Sequence, residues 1–254
     1  MGIKTYSAFT YGHTITDGNL TIDFDEGVGE LTAKLNVGSY SLQDFAIEVS
    51  KAINAVGSQE YSISLDRSTR VISISAPSTF KLLPVSGTNT ATSALPLVGF
   101  STDTVLNLIN IGDYPSGSLY TPQNILQRFV DFDDNVKTTN STIRQTATGA
   151  VEVVSYGSVK FMECNITPIT DITPQLSIIS NANAVSEFRK FMNYCIGKAP
   201  IEFIPDTLTP NTFKKCLLES TRESKDGVNF KIKELFSKKL FGYYESGNLI
   251  FRGL

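Results

Sequence analysis

Apolar and polar positions alternate with a period of two along much of this chain, and one segment shifts to the helical period. In residues 31–37, Leu31, Ala33, Leu35 and Val37 share one face while Thr32, Lys34 and Asn36 share the other. That is the pattern of a half-buried strand. A similar run spans residues 20–24, and Gly27 and Gly29 punctuate the connection. Between Ser41 and Gly57 the period becomes 3.6: Leu42, Phe45, Ala46, Val49, Ala52, Ile53 and Val56 fall on one face of a helix. Ser41 and Asp44 resemble a capping box, with Asp in place of the longer Glu, and Gly57 is a natural stop. Tyr61, Ile63 and Leu65 then alternate, Asp66-Arg67-Ser68-Thr69 supplies turn chemistry, and residues 71–74 return as the second strand of a hairpin. A separate short run at residues 80–83 ends at Pro84. The order strand, strand, helix, hairpin, strand predicts one helix packed over a small sheet. Residues 84–119 are richer in Ser, Thr, Asn, Gly and Pro, which places a domain boundary near Ile111-Gly112-Asp113.

The second half changes texture. Short strands are predicted at residues 151–156, 159–166, 201–204, 213–218, 230–235 and 249–251, separated by turn residues, as in a β-sandwich or barrel. One helix is predicted over residues 184–196, with Val185, Phe188, Phe191, Met192 and Cys195 as its apolar stripe and Gly197 after it. There is no internal repeat and no low-complexity segment. The expected fold class is therefore α+β, mainly β. Residues 1–112 form a one-helix-on-sheet module, and residues 113–254 form a mainly-β, sandwich-like domain with one helix.

Composition supports two packed domains: 254 residues, 41% of them hydrophobic and 19% charged, supply enough apolar side chains for a core. The net charge of −3 is unevenly spread. Residues 1–112 carry 6 basic and 10 acidic side chains, and residues 113–254 carry 16 and 15. Neither half has the single-sign excess of a nucleic-acid binder. Cys164, Cys195 and Cys216 are an odd number at wide spacing, which fits buried thiols and neither a disulfide framework nor a metal-binding pair. The first residues lack the apolar core of a secretory leader, and Tyr6 stands where a myristoylation signal needs Ser or Thr. No run of 18 apolar residues is present. The chain is expected to be made in a cytoplasm and to be soluble there.

Candidate chemistry is sparse. His13 is the only histidine, so any Ser-His or Cys-His mechanism must use it, yet it lies in a Gly- and Thr-rich segment without a nucleophile motif. It reads as a polar loop or strand residue. Asp23-Phe24-Asp25-Glu26 and Asp131-Phe132-Asp133-Asp134 offer oxygen ligands, but both lack the glycine and terminal glutamate of a calcium loop. Asp23 and Asp25 read as the solvent face of a strand whose other face holds Ile22 and Phe24. A glycosidase pair converges only in space, and the absence of tryptophan disfavours a sugar-stacking cleft. Gly27-Val28-Gly29 is neither a phosphate loop nor a dinucleotide fingerprint. Lys198, Lys214, Lys215, Lys225, Lys231, Lys233, Lys238 and Lys239 are interleaved with Glu202, Asp206, Glu219, Glu223, Asp226 and Glu234, the pattern of a solvated surface. No catalytic, cofactor-binding or metal-ligating residue is assigned, and no cofactor is expected.

Longer phrases carry a resemblance. Gly18-Asn19-Leu20-Thr21-Ile22-Asp23-Phe24, Gly38-Ser39-Tyr40-Ser41-Leu42, Tyr61-Ser62-Ile63-Ser64-Leu65-Asp66-Arg67 and Ser93-Ala94-Leu95-Pro96-Leu97-Val98-Gly99-Phe100 are similar to a module common in viral structural proteins, over about residues 18–105. Gly149-Ala150-Val151-Glu152, Pro200-Ile201-Glu202-Phe203-Ile204-Pro205-Asp206, Leu217-Leu218-Glu219-Ser220 and Gly247-Asn248-Leu249-Ile250-Phe251-Arg252 resemble tail and baseplate proteins of tailed bacteriophages, in particular distal tail proteins and related tail adaptors. The resemblance implies a non-enzymatic virion subunit. It implies a homo-oligomeric ring, usually a hexamer in such proteins, joining the tail tube to the hub or adhesion apparatus. Its other partners would be tail proteins, with no membrane and no specific nucleic-acid binding, although DNA passes through the lumen.

A ring subunit needs sheet edges or faces that neighbours extend or cover, and head-to-tail contacts that close. Stable contacts of this kind bury on the order of 1,200–2,000 Å². The lack of a strong basic patch suits a lumen that does not hold the genome tightly. Three other readings compete: a head–tail connector, neck or terminator subunit; a receptor- or glycan-binding module; and a hydrolase hidden in the β domain. If the subunit is structural, replacing His13 removes no hydrolytic activity. A specific loss of hydrolysis in a His13→Asn protein that still folds would restore the hydrolase reading.

Overall fold

The computed structural model describes residues 7–121, 130–138, 141–145, 151–155, 158–166, 169–170, 185–197, 199–221, 233–234, 243–246 and 248–254. The chain is α+β and mainly β. Its contacts divide it into two compact units. One holds the described residues up to Tyr120 together with Ala199–Phe213, and the other those of Thr121–Lys198 and Lys214–Leu254.

In the first unit the strands are β1 (Ala8–Tyr11), β2 (Thr14–Ile15), β3 (Thr21–Asp25), β4 (Glu30–Lys34), β5 (Gly38–Ser39), β6 (Ser62–Asp66), β7 (Val71–Leu82), β8 (Asn107–Ile111) and β9 (Ser118–Tyr120). Helix α1 (Leu42–Asn54) precedes the β6–β7 hairpin, and the single turn α2 (Leu95–Val98) precedes β8. In the second unit β10 (Val130–Thr138), β11 (Ser141–Gln145), β12 (Val151–Ser155), β13 (Ser158–Ile166) and β14 (Ile169–Thr170) come before helix α3 (Val185–Ile196). The chain then returns to the first unit for β15 (Ile201–Ile204) and leaves it again for β16 (Lys214–Thr221), β17 (Lys233–Glu234), β18 (Tyr243–Glu245) and β19 (Asn248–Gly253).

The helix α1 forms where the 3.6 period predicts it, and its start is capped as expected. Ser41 Oγ accepts from the Asp44 amide at 3.2 Å and donates to the Asp44 carboxylate at 2.8 Å. A capping interaction of this type is worth about 1 kcal/mol. The Gly57 amide closes the far end on the Ile53 carbonyl at 2.8 Å. Leu42, Phe45, Ala46, Val49, Ala52 and Ile53 are buried, whereas Val56 is exposed. Phe45, Ala46, Val49, Ala52 and Ile53 pack with Ile22 and Phe24 of β3, Ala33 of β4, and Ile72, Ile74, Phe80 and Leu82 of β7 in one core cluster. The sheet beneath runs β4-β3-β7-β6, with β8 added beside β7. Gly27 and Gly29 have φ of 91° and 136° in the β3–β4 turn, a region side chains other than glycine rarely adopt. The Asp25 carboxylate accepts from both of their amides.

Three differences from the sequence expectation have physical reasons. Residues 80–83 are not a separate strand: β7 is continuous from Val71 to Leu82, with its register to β8 shifting between Ser75 and Phe80. Residues 107–111, for which no strand is expected from the sequence, are β8 and pair with β7; the first unit continues to Tyr120. Residues 201–204, assigned to the second half, pair antiparallel with β1, which also pairs with β9. Local patterning identifies a strand but not its partner, and the partner here lies about two hundred residues away.

A buried carboxylate fastens that returning strand. Glu202 is fully buried, not one of the solvated charges the sequence suggested. Its Oε2 accepts from Arg67 Nη1 at 2.5 Å and from Thr10 Oγ1 at 3.3 Å, and its Oε1 accepts from the Gln43 amide at 2.8 Å. Arg67 Nη2 donates to Gln43 Oε1 at 2.8 Å, and its guanidinium lies 3.6 Å over the Phe213 ring.

In the second unit β10-β13-β19-β16 form an antiparallel sheet, β11 and β12 a hairpin, and β14-β18-β17 a small ladder. Helix α3 contacts β14 and β16. It buries Phe188, Phe191, Met192 and Cys195 as its stripe predicts. Of the strand expected at 230–235, only β17 lies among the described residues, and Tyr156 and Ala184 lie outside them.

Removing one partner of a buried ion pair leaves the other charge uncompensated, at a cost of about 3–5 kcal/mol. Glu202→Ala and Arg67→Ala are each expected to destabilise by that order, and the double variant by less than the sum. Urea unfolding of the four proteins, followed by circular dichroism, tests this; additive losses would show that the two groups do not act as a pair.

Candidate assembly surface

His13, Asp23 and Asp25 each hold hydrogen bonds to neighbouring loops and turns. His13 sits in the β1–β2 connection with its Nε2 accepting from the Gly117 amide at 2.9 Å and lying 3.1 Å from Ser116 Oγ. Ser116 Oγ itself is 2.7 Å from the Leu97 carbonyl, so this hydroxyl is held in a structural chain of bonds. The imidazole meets the Phe45 ring edge-on, with centroids 4.7 Å apart. Burial pushes its pKa down to about 4, with a hydrogen bond to the Leu97 backbone opposing. The polar loop residue of the sequence reading is thus a packed, neutral hinge between segments 13, 97 and 117.

Asp23 is buried, which corrects its assignment to a solvent face. Its carboxylate accepts from the Asn89 amide at 2.6 Å, Asn89 Nδ2 at 3.0 Å and Thr32 Oγ1 at 2.8 Å. The reason is the loop after β7, which folds back over β3 and covers that face. Asp25 keeps its turn role, and the Gly29 and Gly27 amides hold its carboxyl below the usual range. Asp131, Asp133 and Asp134 lie along β10. Cys164, Cys195 and Cys216 are buried free thiols, and burial raises the first two. Lys198, Glu223, Lys225, Asp226, Lys231, Lys238 and Lys239 lie outside the described residues. Among the described residues, no group of three or more His, Cys, Asp or Glu is placed to hold a metal ion. No helix among them is long and apolar enough to cross a membrane.

The most distinctive surface is β8 and the segment leading into it. Val105, Leu106, Leu108, Ile109 and Ile111 are 76%, 51%, 47%, 51% and 63% exposed. Five large aliphatic side chains exposed within seven residues are a concentration of apolar surface of the kind that marks an interaction site. Residues 104–112 carry no charge, proline or internal glycine before Gly112. Among the described residues β8 pairs with β7 alone, so its other side is an open edge. Edge strands normally carry lysine, proline or a covering element against pairing with another chain. By contrast, the edge strand β4 is bracketed by exposed Glu30 and Lys34.

Register fixes the faces of β8. Asn110 is opposite Ile74, is buried, and donates from Nδ2 to the Phe80 carbonyl at 3.1 Å. Ile109 and Ile111 are opposite Ser75 and Ser73, on the sheet face away from α1. Ser62 and Ser64 of β6 are paired with Ser75 and Ser73 in turn, so two isoleucines border a floor of four serines. A shallow groove lined by Glu60, Ser62, Ser75, Pro77, Leu108 and Ile109 crosses that face. The sequence reading passed over β8 because its neighbours are turn-rich; the signal it held was an uncharged aliphatic run between Asp103 and Asp113.

A comparison with protein-family models and with curated proteins finds no match to this chain.

The lowered His13 pKa sets a pH dependence. With the folded pKa near 4 and an unfolded value near 6.5, the unfolded chain binds the proton first as pH falls. Stability is therefore complete above pH 6.5 and declines between 6.5 and 4, by about 3 kcal/mol at most. The Gly29 amide holds Asp25, the Ser68 hydroxyl Asp66 and the Ser101 amide Asp113 below the ordinary range, so their contributions are lost only at lower pH. Urea midpoints at pH 7, 5.5 and 4.5 should fall in the native protein and stay flatter in His13→Gln. An equal fall in both would assign the effect elsewhere.

Proposed function

We propose that this chain is a structural, non-catalytic subunit of a tailed-bacteriophage virion, a ring protein of the distal tail or baseplate that joins the tail tube to the hub or adhesion apparatus. The observation that supports it is the unprotected edge of β8, whose open backbone groups and five exposed aliphatic side chains suit association with another chain. A freely diffusing monomer gains nothing from such an edge and risks aggregation through it. A subunit that meets its neighbours soon after synthesis covers it. The resemblance of the sequence phrases to tail adaptors supplies the location, and the partners are copies of the chain and other tail proteins.

Negative-stain electron microscopy and solution mass of the purified chain, alone and with purified tail tubes, test the reading. Closed rings of discrete size, or rings formed on tube ends, are the expected result. A protein that stays monomeric and does not attach to tubes would overturn it. Labelled antibody binding next to the portal instead of the tail tip would move the subunit to the head–tail connector.

A further inference from the structure

We infer that β8 is a self-complementary edge, which a second copy of this chain covers by antiparallel pairing about a two-fold axis through Asn110; the inference rests on the assembly reading above and names its partner. The hydrogen-bond direction carries it first. In an antiparallel ladder residues alternate between facing the partner strand and facing away. The Gly112 amide bonds to the Ile72 carbonyl of the β7 side at 2.9 Å. Asn110, two residues earlier and opposite Ile74, therefore also faces β7, and the amides and carbonyls of Ile109 and Ile111 face the open edge. A two-fold axis through Asn110 sets Ile109 of each copy opposite Ile111 of the other. These are the residues with outward groups, so four backbone hydrogen bonds form without any shift of the strand.

Side chains and charge favour the same partner. Paired residues share a face, so the two-fold gathers four isoleucines, 63% and 51% exposed in the single chain, into one cluster beside the serine floors. Cross-strand pairs of β-branched residues contribute about 0.2–1 kcal/mol each. With no charge in residues 104–112, a copy meets no like charge, whereas the edge of β4 would bring Glu30 and Lys34 against aliphatic side chains. The contact is isologous, so it closes at two chains. A head-to-tail ring would use another surface, and the β8 pairing would then join two rings back to back. A ladder this short is smaller than a standard interface, so a dissociation constant of about 10 µM is expected.

Sedimentation velocity of the full chain from about 1 to 200 µM tests the pairing, with Ile109→Lys and Ile109→Val beside the native protein. The native and Ile109→Val chains should dimerise, and Ile109→Lys should lose at least tenfold in affinity while keeping its unfolding midpoint. The register has its own test. Hydrogen-bonded partners have Cα atoms about 5.5 Å apart, within disulfide reach. A mixture of Ile109→Cys and Ile111→Cys chains should therefore cross-link on oxidation, and neither alone. A native protein that stays monomeric across this range overturns the inference, and if it still attaches to tail tubes the assembly reading stands without it. Dimers, or pairs of rings joined back to back, undiminished by Ile109→Lys also overturn the inference and leave that reading intact. A monomer that ignores tail tubes ends both.

Discussion

The first unit depends on one buried carboxylate. Glu202 arrives on a strand that the chain supplies only after leaving the unit for some eighty residues, and that strand pairs with β1. Its side chain reaches three elements at once: Thr10 on β1, the Gln43 amide in the first turn of α1, and Arg67 in the β6–β7 turn. The first four amides of a helix lack partners within it, and the N-terminus carries partial positive charge. Ser41 satisfies one of these amides from within the helix's own sequence, and Glu202 satisfies another from a distance. Replacement by an apolar side chain would leave Arg67 enclosed and uncompensated.

That constraint helps to hold the β6–β7 hairpin in place. Arg67 is fixed from both sides, by Glu202 and Gln43 through its nitrogens and by the Phe213 ring on its face. The turn it belongs to begins the long strand β7, on which β6, β3 and β8 all pair. On one face α1 and the phenylalanine-rich core cover Ile72 and Ile74. On the other, the small side chains of Ser62, Ser64, Ser73 and Ser75 lie together, with Ile109 and Ile111 standing at their border. The same scaffold that buries Asn110 thus presents its two neighbours to solvent.

The buried polar groups follow one logic. Asp23 ties the loop at Asn89 to β3, His13 ties Gly117 and Ser116 to the β1–β2 connection, and Glu202 ties β15 to α1. Each closes an irregular segment that the hydrophobic core cannot fix by itself, because apolar packing is non-directional while a hydrogen bond specifies a partner. Polar residues that look like solvent-facing or catalytic candidates in the linear chain are here the fasteners of loops. The exposed aliphatic side chains lie elsewhere, along β8 and the segment before it.

Much of the local structure was legible in the sequence. The 3.6 period and the Ser41–Asp44 pair determine α1 and its cap, the turn at Asp66 to Thr69 determines the β6–β7 hairpin, and the stripe from Phe188 to Cys195 determines α3. These are short-range consequences of side-chain spacing, which a window of a dozen residues contains. Tertiary structure decided the rest. It paired residues 201–204 with β1, buried Glu202 and Asp23 among donors from distant segments, and placed the aliphatic run before Asp113 on an open edge. Alternation states that a strand has two faces and two edges. Which face is covered and which edge is left open depends on what the remainder of the chain brings to it.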